Sequence, residues 1–300
     1  MTANRVLVNS PMVIAKITSG LGNQLFQYAL GRHLALQGNT SLWFDLRYFH
    51  QEYATDTPRK FKLDRFNVRY NLLDSSPWLY ASKATRLLPG RSLRPLIDTR
   101  FEADFHFDPT VIRPAAPLTI LWGFWQSEKY FAQSTPQIRQ ELTFNRPLSD
   151  TFVGYQQQIE QAEVPISVHV RRGDYVTHPE FSQSFGFVGL AYYQKALAHL
   201  QDLFPNATLF FFSDDPDWVR ANIVTEQPHV FVQNSGPDAD VDDLQLMSLC
   251  HHHVIANSSF SWWGAWLNPR PDKVVIGPQR WFANKPWDTK DLLPSGWLRL

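Results

Sequence analysis

Apolar and polar positions along the chain fall into two regimes that meet near residue 160. From residue 165 onward, short apolar runs and longer amphipathic stretches take turns. Residues 166–170 (ISVHV) alternate as a buried strand does, and comparable runs at 208–213, 229–233, 253–256 and 273–276 predict four more strands. Between them, apolar residues recur at helical spacing over 189–203, from 216, over 241–251 and from 260. A strand and a helix thus repeat four times before a closing strand. Short links of this kind require parallel strands with right-handed crossovers, so this half predicts a doubly wound, Rossmann-like α/β sheet.

The first half is less regular. Residues 13–18 (VIAKIT) predict a strand, Ser19-Gly20-Leu21-Gly22 a turn suited to glycine backbone, and 23–37 a helix closed by Gly38. Strands are expected again over 40–46 and 118–124. Between these, residues 47–100 mix basic and aromatic residues, as in PRKFKLDRF and TRLLPGRSLRP, without a clean period. Short helices and loops with a solvated surface are expected there. The chain is read as two domains, 1–160 with helical insertions and 161–300.

Composition narrows the partners. Three hundred residues with 44% hydrophobic and 14% aromatic content supply ample core for two domains. The 28 basic and 28 acidic residues cancel, and no polybasic run stands out, so duplex nucleic acid is a poor partner. The single cysteine, Cys250, excludes an intramolecular disulfide framework. No apolar run near the N-terminus is long enough for a signal peptide or a spanning helix, so a cytoplasmic protein is expected, at most peripheral to the inner face of a membrane. Cys250-His251-His252-His253 resembles a zinc site only in composition. Consecutive side chains diverge, and a helix end entering a strand is the expected reading.

Ligands of a doubly wound sheet sit beyond the carboxyl ends of its strands. Those ends carry His169 and Arg171, then Ser213 and Asp214, then Asn234 and Ser235, then Asn257 and Ser258. Any one of these is an ordinary cap, whereas four polar ends in succession suit a nucleotide. Arg171 and Arg172 end a core strand, where a guanidinium fork matches phosphate oxygens. One of the two is expected to pair with Asp174 and the other to meet phosphate. In Ser213-Asp214-Asp215-Pro216-Asp217 the proline makes Asp215 the natural N-cap, which leaves Asp214 free to accept two hydrogen bonds from a guanine edge. Ser258 and Ser259 precede a helix start, which is either a plain N-cap or a phosphate cradle. Asn23 and Gln24 are open to two readings, helix caps or ligand-facing amides. Trp122, Trp125 and Gln126 likewise suit a sugar platform or the core.

Four segments together resemble a known family. They are Gly20-Leu21-Gly22-Asn23-Gln24-Leu25-Phe26-Gln27-Tyr28-Ala29, His169-Val170-Arg171-Arg172-Gly173-Asp174-Tyr175, Phe212-Ser213-Asp214-Asp215-Pro216 and Asn257-Ser258-Ser259-Phe260-Ser261-Trp262-Trp263-Gly264. They look like the signatures of the bacterial α-1,2-fucosyltransferases of glycosyltransferase family 11, over about residues 13–280. The resemblance implies a GT-B fold of two Rossmann-like domains facing a cleft, and GDP-β-L-fucose as donor. It further implies a galactose-terminated oligosaccharide as acceptor and inverting transfer to its 2-hydroxyl with no metal or cofactor. Carried residue by residue, it places His169 and Asp214 near guanine, Arg171 on the β-phosphate, Ser258, Ser259 and Phe260 around the diphosphate, and Asn23 near the fucose. Gly22, Gln24 and Asn257 complete the expected donor site, and Trp122, Trp125 and Gln126 the acceptor side. No carboxylate carries over as a base, and Asp174 is the nearest acid in sequence. Transfer in α-1,3 or α-1,6 linkage, and a non-catalytic nucleotide- or sugar-binding protein, are the alternatives.

Overall fold

A computed structural model describes residues 11–50, 59–73, 97–146 and 148–300, without the side chains of Asp174, Glu180 and Phe181. The chain separates into two compact units, Met1–Thr143 and Phe144–Leu300. TRLLPGRSLRP, at 85–95, lies outside the described residues.

The first unit is built on β1 (Met12–Lys16), α1 (Leu21–Gln37), β2 (Ser41–Asp45), β3 (Asn71–Leu72), β4 (Ile97–Phe101), β5 (Leu118–Trp122) and α2 (Thr135–Glu141). Its five strands are all parallel, in the order β3-β2-β1-β5-β4. Val13, Ile14 and Ala15 place β1 in the core, and α1 lies over it with nearly every residue buried. A side chain at Gly31 would meet Leu42 at 2.8 Å, so the helix sits flush on the sheet only because that position is bare. A buried ion pair ties α1 to α2: Tyr28 Oη donates to Glu141 at 2.5 Å, and Arg32 reaches the same carboxylate in a fork.

Three sequence expectations are corrected in this unit. Positive φ at the first turn falls on Ser19 (66°), while Gly20 is extended and Gly22 is already inside α1. At the helix end Gly38 is right-handed and Asn39 takes the left-handed conformation, φ 45°. Residues 47–100, read as helices and loops, include strand β4. Its polar residues hide the strand pattern because buried Arg100 is satisfied internally, donating to the carbonyls of Val111, Arg113 and Pro114 and to Asp98.

The second unit runs α3 (Asp150–Gln161), β6 (Val164–Val170), α4 (Gly173–Thr177), α5 (Pro179–Ser184), α6 (Leu190–Leu203), β7 (Ala207–Ser213), α7 (Pro216–Asn222), β8 (His229–Phe231), α8 (Ala239–Leu249), β9 (His252–Val254), α9 (Ser259–Leu267), β10 (Val275–Gly277) and β11 (Leu298–Arg299). Arg146 pairs with Asp242 of α8, and Tyr155 donates to the carbonyl of Phe231 at 3.4 Å, so α3 is attached to this unit from its first turn. The parallel sheet has the order β11-β10-β9-β6-β7-β8, which in this unit's own count is 6-5-4-1-2-3. This is the doubly wound Rossmann order, and its strand sequence reverses direction between β6 and β9.

Several sequence features serve this core. Ile166, Val168, Val170, Leu209 and Phe211 face Tyr193, Ala196 and Leu200 of α6. His253 is buried between Ser167 Oγ, 2.7 Å from Nδ1, and Asn268 Nδ2, 2.8 Å from Nε2, while His252 stacks on Phe204 at 4.0 Å. The histidine run is therefore a helix end entering a strand, as expected. Trp262, Trp263 and Trp266 are buried, and Trp262 donates to the carbonyl of Leu292 at 2.9 Å. Among the described residues no helix is long and apolar enough to cross a membrane.

Candidate active site

The reversal between β6 and β9 leaves a crevice at their carboxyl ends, where a doubly wound sheet takes its ligand. His169 and Arg171 stand at the end of β6, with Asn257 and Ser258 opposite at the end of β9. The ring of His169 lies 5.6 Å from that of Phe260, so the two loops are in contact. His169 is buried, its carbonyl accepts from Tyr193 Oη at 3.1 Å, and its Nδ1 has no hydrogen-bond partner among the described residues. Burial, with the Arg171 cation adding to it, lowers the imidazole pKa to about 3, so the ring is neutral at working pH.

The register of β6 on β7 sets Val170 against Ser213, which brings the next two residues of each chain segment together. Arg171 pairs with Asp214 at 2.9 Å and Arg172 with Asp215 at 2.5 Å. Asp214 also accepts the Arg172 backbone N–H on its other oxygen at 2.9 Å, and a side chain at Gly173 would meet that carboxylate at 2.7 Å. Asp215 caps α7, accepting from the Trp218 N–H at 3.3 Å, as the sequence implies. The Arg171 guanidinium lies 5.4 Å from the Tyr175 ring, whose hydroxyl donates to the carbonyl of Asn257 at 3.3 Å. The arginines find Asp214 and Asp215, and the expected pairing of one of them with Asp174, on α4, falls on a side chain outside the described residues. Asp214, expected on guanine, already has both oxygens engaged in holding Arg171 and the loop behind it.

At the end of β9 the roles divide. Asn257 is buried and its Nδ2 donates to the carbonyls of Phe185, Gly186 and Trp281 at 3.0–3.2 Å, so it braces two loops, while its Oδ1 has no hydrogen-bond partner among the described residues. Ser258 is the N-cap of α9, its Oγ accepting from the Phe260 N–H at 3.3 Å. Ser259 and Phe260 form the half-buried first turn that follows, with the backbone donors and positive dipole end of a nine-residue helix. Cation and helix start together can neutralise a diphosphate. Asn234 at the end of β8 is tied to Asp243 at 2.8 Å, and β8 is an edge strand away from the reversal.

The first unit has a reversal of its own, between β1 and β5. Gly22 and Asn23 follow β1 in the first turn of α1, and Trp122 to Gln126 follow β5. The structure joins the two loops: Gln126 Nε2 donates to Asn23 Oδ1 at 2.8 Å, and Asn23 Nδ2 donates to Ser19 Oγ at 3.1 Å. Gln24 is not part of this group. It is fully buried, donating to the carbonyls of Ser19 and Lys60 and accepting from the Lys62 N–H, so it clamps a loop. Trp125 is 1% exposed, edge-on to Tyr130, and is core instead of platform. Trp122 is half-buried with the Lys16 ammonium 3.2 Å from its ring centre and the exposed ring of Phe101 5.6 Å away. Two residues here escaped the sequence reading. Tyr175 sits inside the arginine signature, and Glu102 follows directly on β4, the strand that polar residues concealed.

The sequence model of the family described as Glycosyl transferase family 11 matches residues 113–299. Over 96% of its length the chain is 31% identical to an Alpha-1,2-colitosyltransferase of Escherichia coli, covering 99% of that protein. It is also 31% identical to the O-antigen biosynthesis glycosyltransferase WbnK of the same species, over 95% of this chain and 99% of the other. A Galactoside alpha-(1,2)-fucosyltransferase 1 of Sus scrofa is 29% identical over 50% of this chain and 43% of its own. Among solved structures, fucosyltransferase NodZ from Bradyrhizobium superposes with a TM-score of 0.50 at 14% identity, over 87% of this chain and 94% of that one. The likeness at such identity is one of fold, two parallel-sheet α/β units of GT-B type.

Proposed function

The chain belongs to glycosyl transferase family 11, and on that premise we propose that it transfers L-fucose from GDP-β-L-fucose to the 2-hydroxyl of a β-galactoside. The observation that carries the reading is Arg171 at the end of β6 and the first turn of α9 at the end of β9, on the two sides of the sheet reversal of the second unit. Linkage to oxygen 2 is supported by the names of the relatives, an α-1,2-colitosyltransferase and a galactoside α-(1,2)-fucosyltransferase. The name of WbnK supports an O-antigen oligosaccharide as acceptor.

In this reading the bond from fucose C1 to the β-phosphate oxygen breaks, and GDP leaves with the electron pair. Negative charge grows on the leaving phosphate while the sugar ring carries the positive charge. Fixed donors that meet this charge as it forms stabilise the transition state more than the ground state, and Arg171 with the Ser259 N–H at the start of α9 are such donors. The acceptor oxygen attacks C1 from the opposite face, its proton is released, and the β-linked donor becomes an α-linked product. His169, neutral and buried, stays beside the nucleotide without exchanging protons. The protein works in this reading on the cytoplasmic side, at most peripheral to a membrane.

The test is a panel of sugar nucleotides with lactose as acceptor, followed by linkage analysis of any product. GDP-fucose should be consumed with formation of a 2-O-fucosyl lactose, and UDP-galactose should not. Because one relative is named for colitose, GDP-colitose belongs on the panel as the competing donor. A product linked at another position, or transfer only from another nucleotide sugar, overturns the assignment.

A further inference from the structure

We propose that Glu102 is a positioning residue for the acceptor side of this reaction, holding the turn after β5 in the one conformation that joins Gln126 to Asn23. The proposal rests on the functional reading above and deepens it. Glu102 is the first residue beyond β4, and its own N–H donates to the carbonyl of Trp122 at 3.1 Å, extending the β4–β5 ladder by one step. Its carboxylate then takes the next donors along the neighbouring chain, the Phe124 N–H at 2.7 Å on one oxygen and the Trp125 N–H at 2.8 Å on the other. Without that carboxylate these backbone donors would stand unpaired in a turn that excludes most water.

The turn is otherwise an unfavourable one. Trp125 has φ 60°, a left-handed conformation that an aromatic residue keeps only where its surroundings enforce it. The enforcing groups are identifiable. The Trp125 ring is buried against Tyr130, Gln27 Nε2 donates to the carbonyl of Gly123 at 3.1 Å, and a side chain at Gly123 would overlap the β-carbon of Glu102 and the Trp125 ring. Glu102 contributes two hydrogen bonds, one to each carboxylate oxygen. Burial raises its carboxyl pKa, and the backbone donors of the turn oppose that rise.

What the turn delivers is Gln126. Its side chain reaches across the sheet reversal to Asn23, and the pair stands where an open α/β sheet receives its ligand. Two neutral amides at that place suit the hydroxyl groups of a sugar, which both donate and accept. Glu102 is engaged by backbone on both oxygens, so it acts through Gln126 and Asn23.

The experiment compares Glu102→Ala and Glu102→Gln with the wild-type chain. Turnover and lactose KM are measured with saturating GDP-fucose, GDP affinity by calorimetry, and folding by thermal melting. Glu102→Gln keeps one acceptor oxygen and should lose turnover by about three- to tenfold, whereas Glu102→Ala should lose on the order of a hundredfold, the scale set by misplaced reacting groups. Lactose KM should rise and GDP affinity stay within about twofold, since GDP is held by the other unit in this reading. Wild-type turnover in a folded Glu102→Ala protein overturns the proposal, as does an equal loss of GDP affinity. If Glu102→Ala fails to fold, Glu102→Gln decides alone: reduced turnover with intact melting supports positioning, and normal turnover overturns it. A wild-type chain that is inactive with GDP-fucose but active with another sugar nucleotide overturns the donor reading only, and the same ratios are then measured on that donor.

Discussion

Arg171 is a cation already in contact with an anion, and a phosphate that binds it must share it with Asp214 at 2.9 Å. The pair is a quarter exposed, so water moderates the attraction and a multiply charged diphosphate can compete. Replacing Arg171 by Lys keeps the charge and loses the fork, and turnover at saturation should fall by about a hundredfold, equivalent to about 3 kcal/mol for a donor aimed at the leaving group. Arg172→Lys should lower the melting temperature and leave turnover within a few fold, because Arg172 holds Asp215 and lies over Trp218. If Arg172→Lys lost the turnover instead, the two side chains would have to exchange places. Asp214→Asn separates two roles. A brace for Arg171 predicts reduced turnover with modest change in GDP affinity, whereas a guanine contact predicts weakened GDP binding by calorimetry with saturating turnover intact. The arginines were legible in the sequence because two charges at the end of an apolar strand have few uses. Their partners were not, since the pairing depends on how β6 lies against β7. The amides divide for a related reason: Gln24 and Asn257 donate to backbone carbonyls of neighbouring loops whereas Gln126 donates to Asn23, and which groups lie nearby is not written locally.

Strands β6 and β9 carry His169, His252 and His253, with pKa values lowered to about 3, to about 4 and well below the ordinary value, in each case chiefly by burial. Between about pH 6.5 and 4 the unfolded chain therefore binds more protons at these positions than the native one does, and stability falls as pH falls. Asp243, raised to about 7, and Glu102, also raised, act in the opposite sense, but His33 and His251 add to the histidine side. Melting temperature should decline from about pH 6.5 to 5, and His253→Asn, though less stable at pH 7.5, should decline less steeply over that range. An unchanged wild-type melting temperature over that range would mean these imidazoles are hydrated. The elements that hold the histidines were readable because four apolar strands and their helices alternate in a regular way. Strand β3, two residues long, and β4, with Asp98 and Arg100 in its run, offer no such pattern. The tryptophans of α9 were equally visible but belong to the core, so the Ser258-to-Gly264 signature divides into a capped first turn for the site and a packed remainder for the fold.

At the scale of the whole molecule each unit has a parallel sheet with one reversal, and the two reversals carry different chemistry. One offers a guanidinium and a helix start, suited to phosphate. The other offers two amides and half-buried aromatic rings, suited to a sugar. A chain with 28 basic and 28 acidic residues has no net field with which to draw in a nucleotide diphosphate, so neutralisation must be local. Two devices can supply it, a divalent cation or fixed protein donors. A magnesium or manganese ion bridging the phosphates would need carboxylates free to bind it. Near the proposed diphosphate site Asp214 and Asp215 are paired with arginines. The fixed donors are the more economical device, and the proposal follows that transfer proceeds without metal. Activity with GDP-fucose and lactose should then survive millimolar EDTA within about twofold, and added magnesium or manganese should not raise it. If EDTA abolished most of the activity and either ion restored it, Arg171 and the first turn of α9 would be too little for the leaving group, and a carboxylate outside the described residues would have to hold the ion.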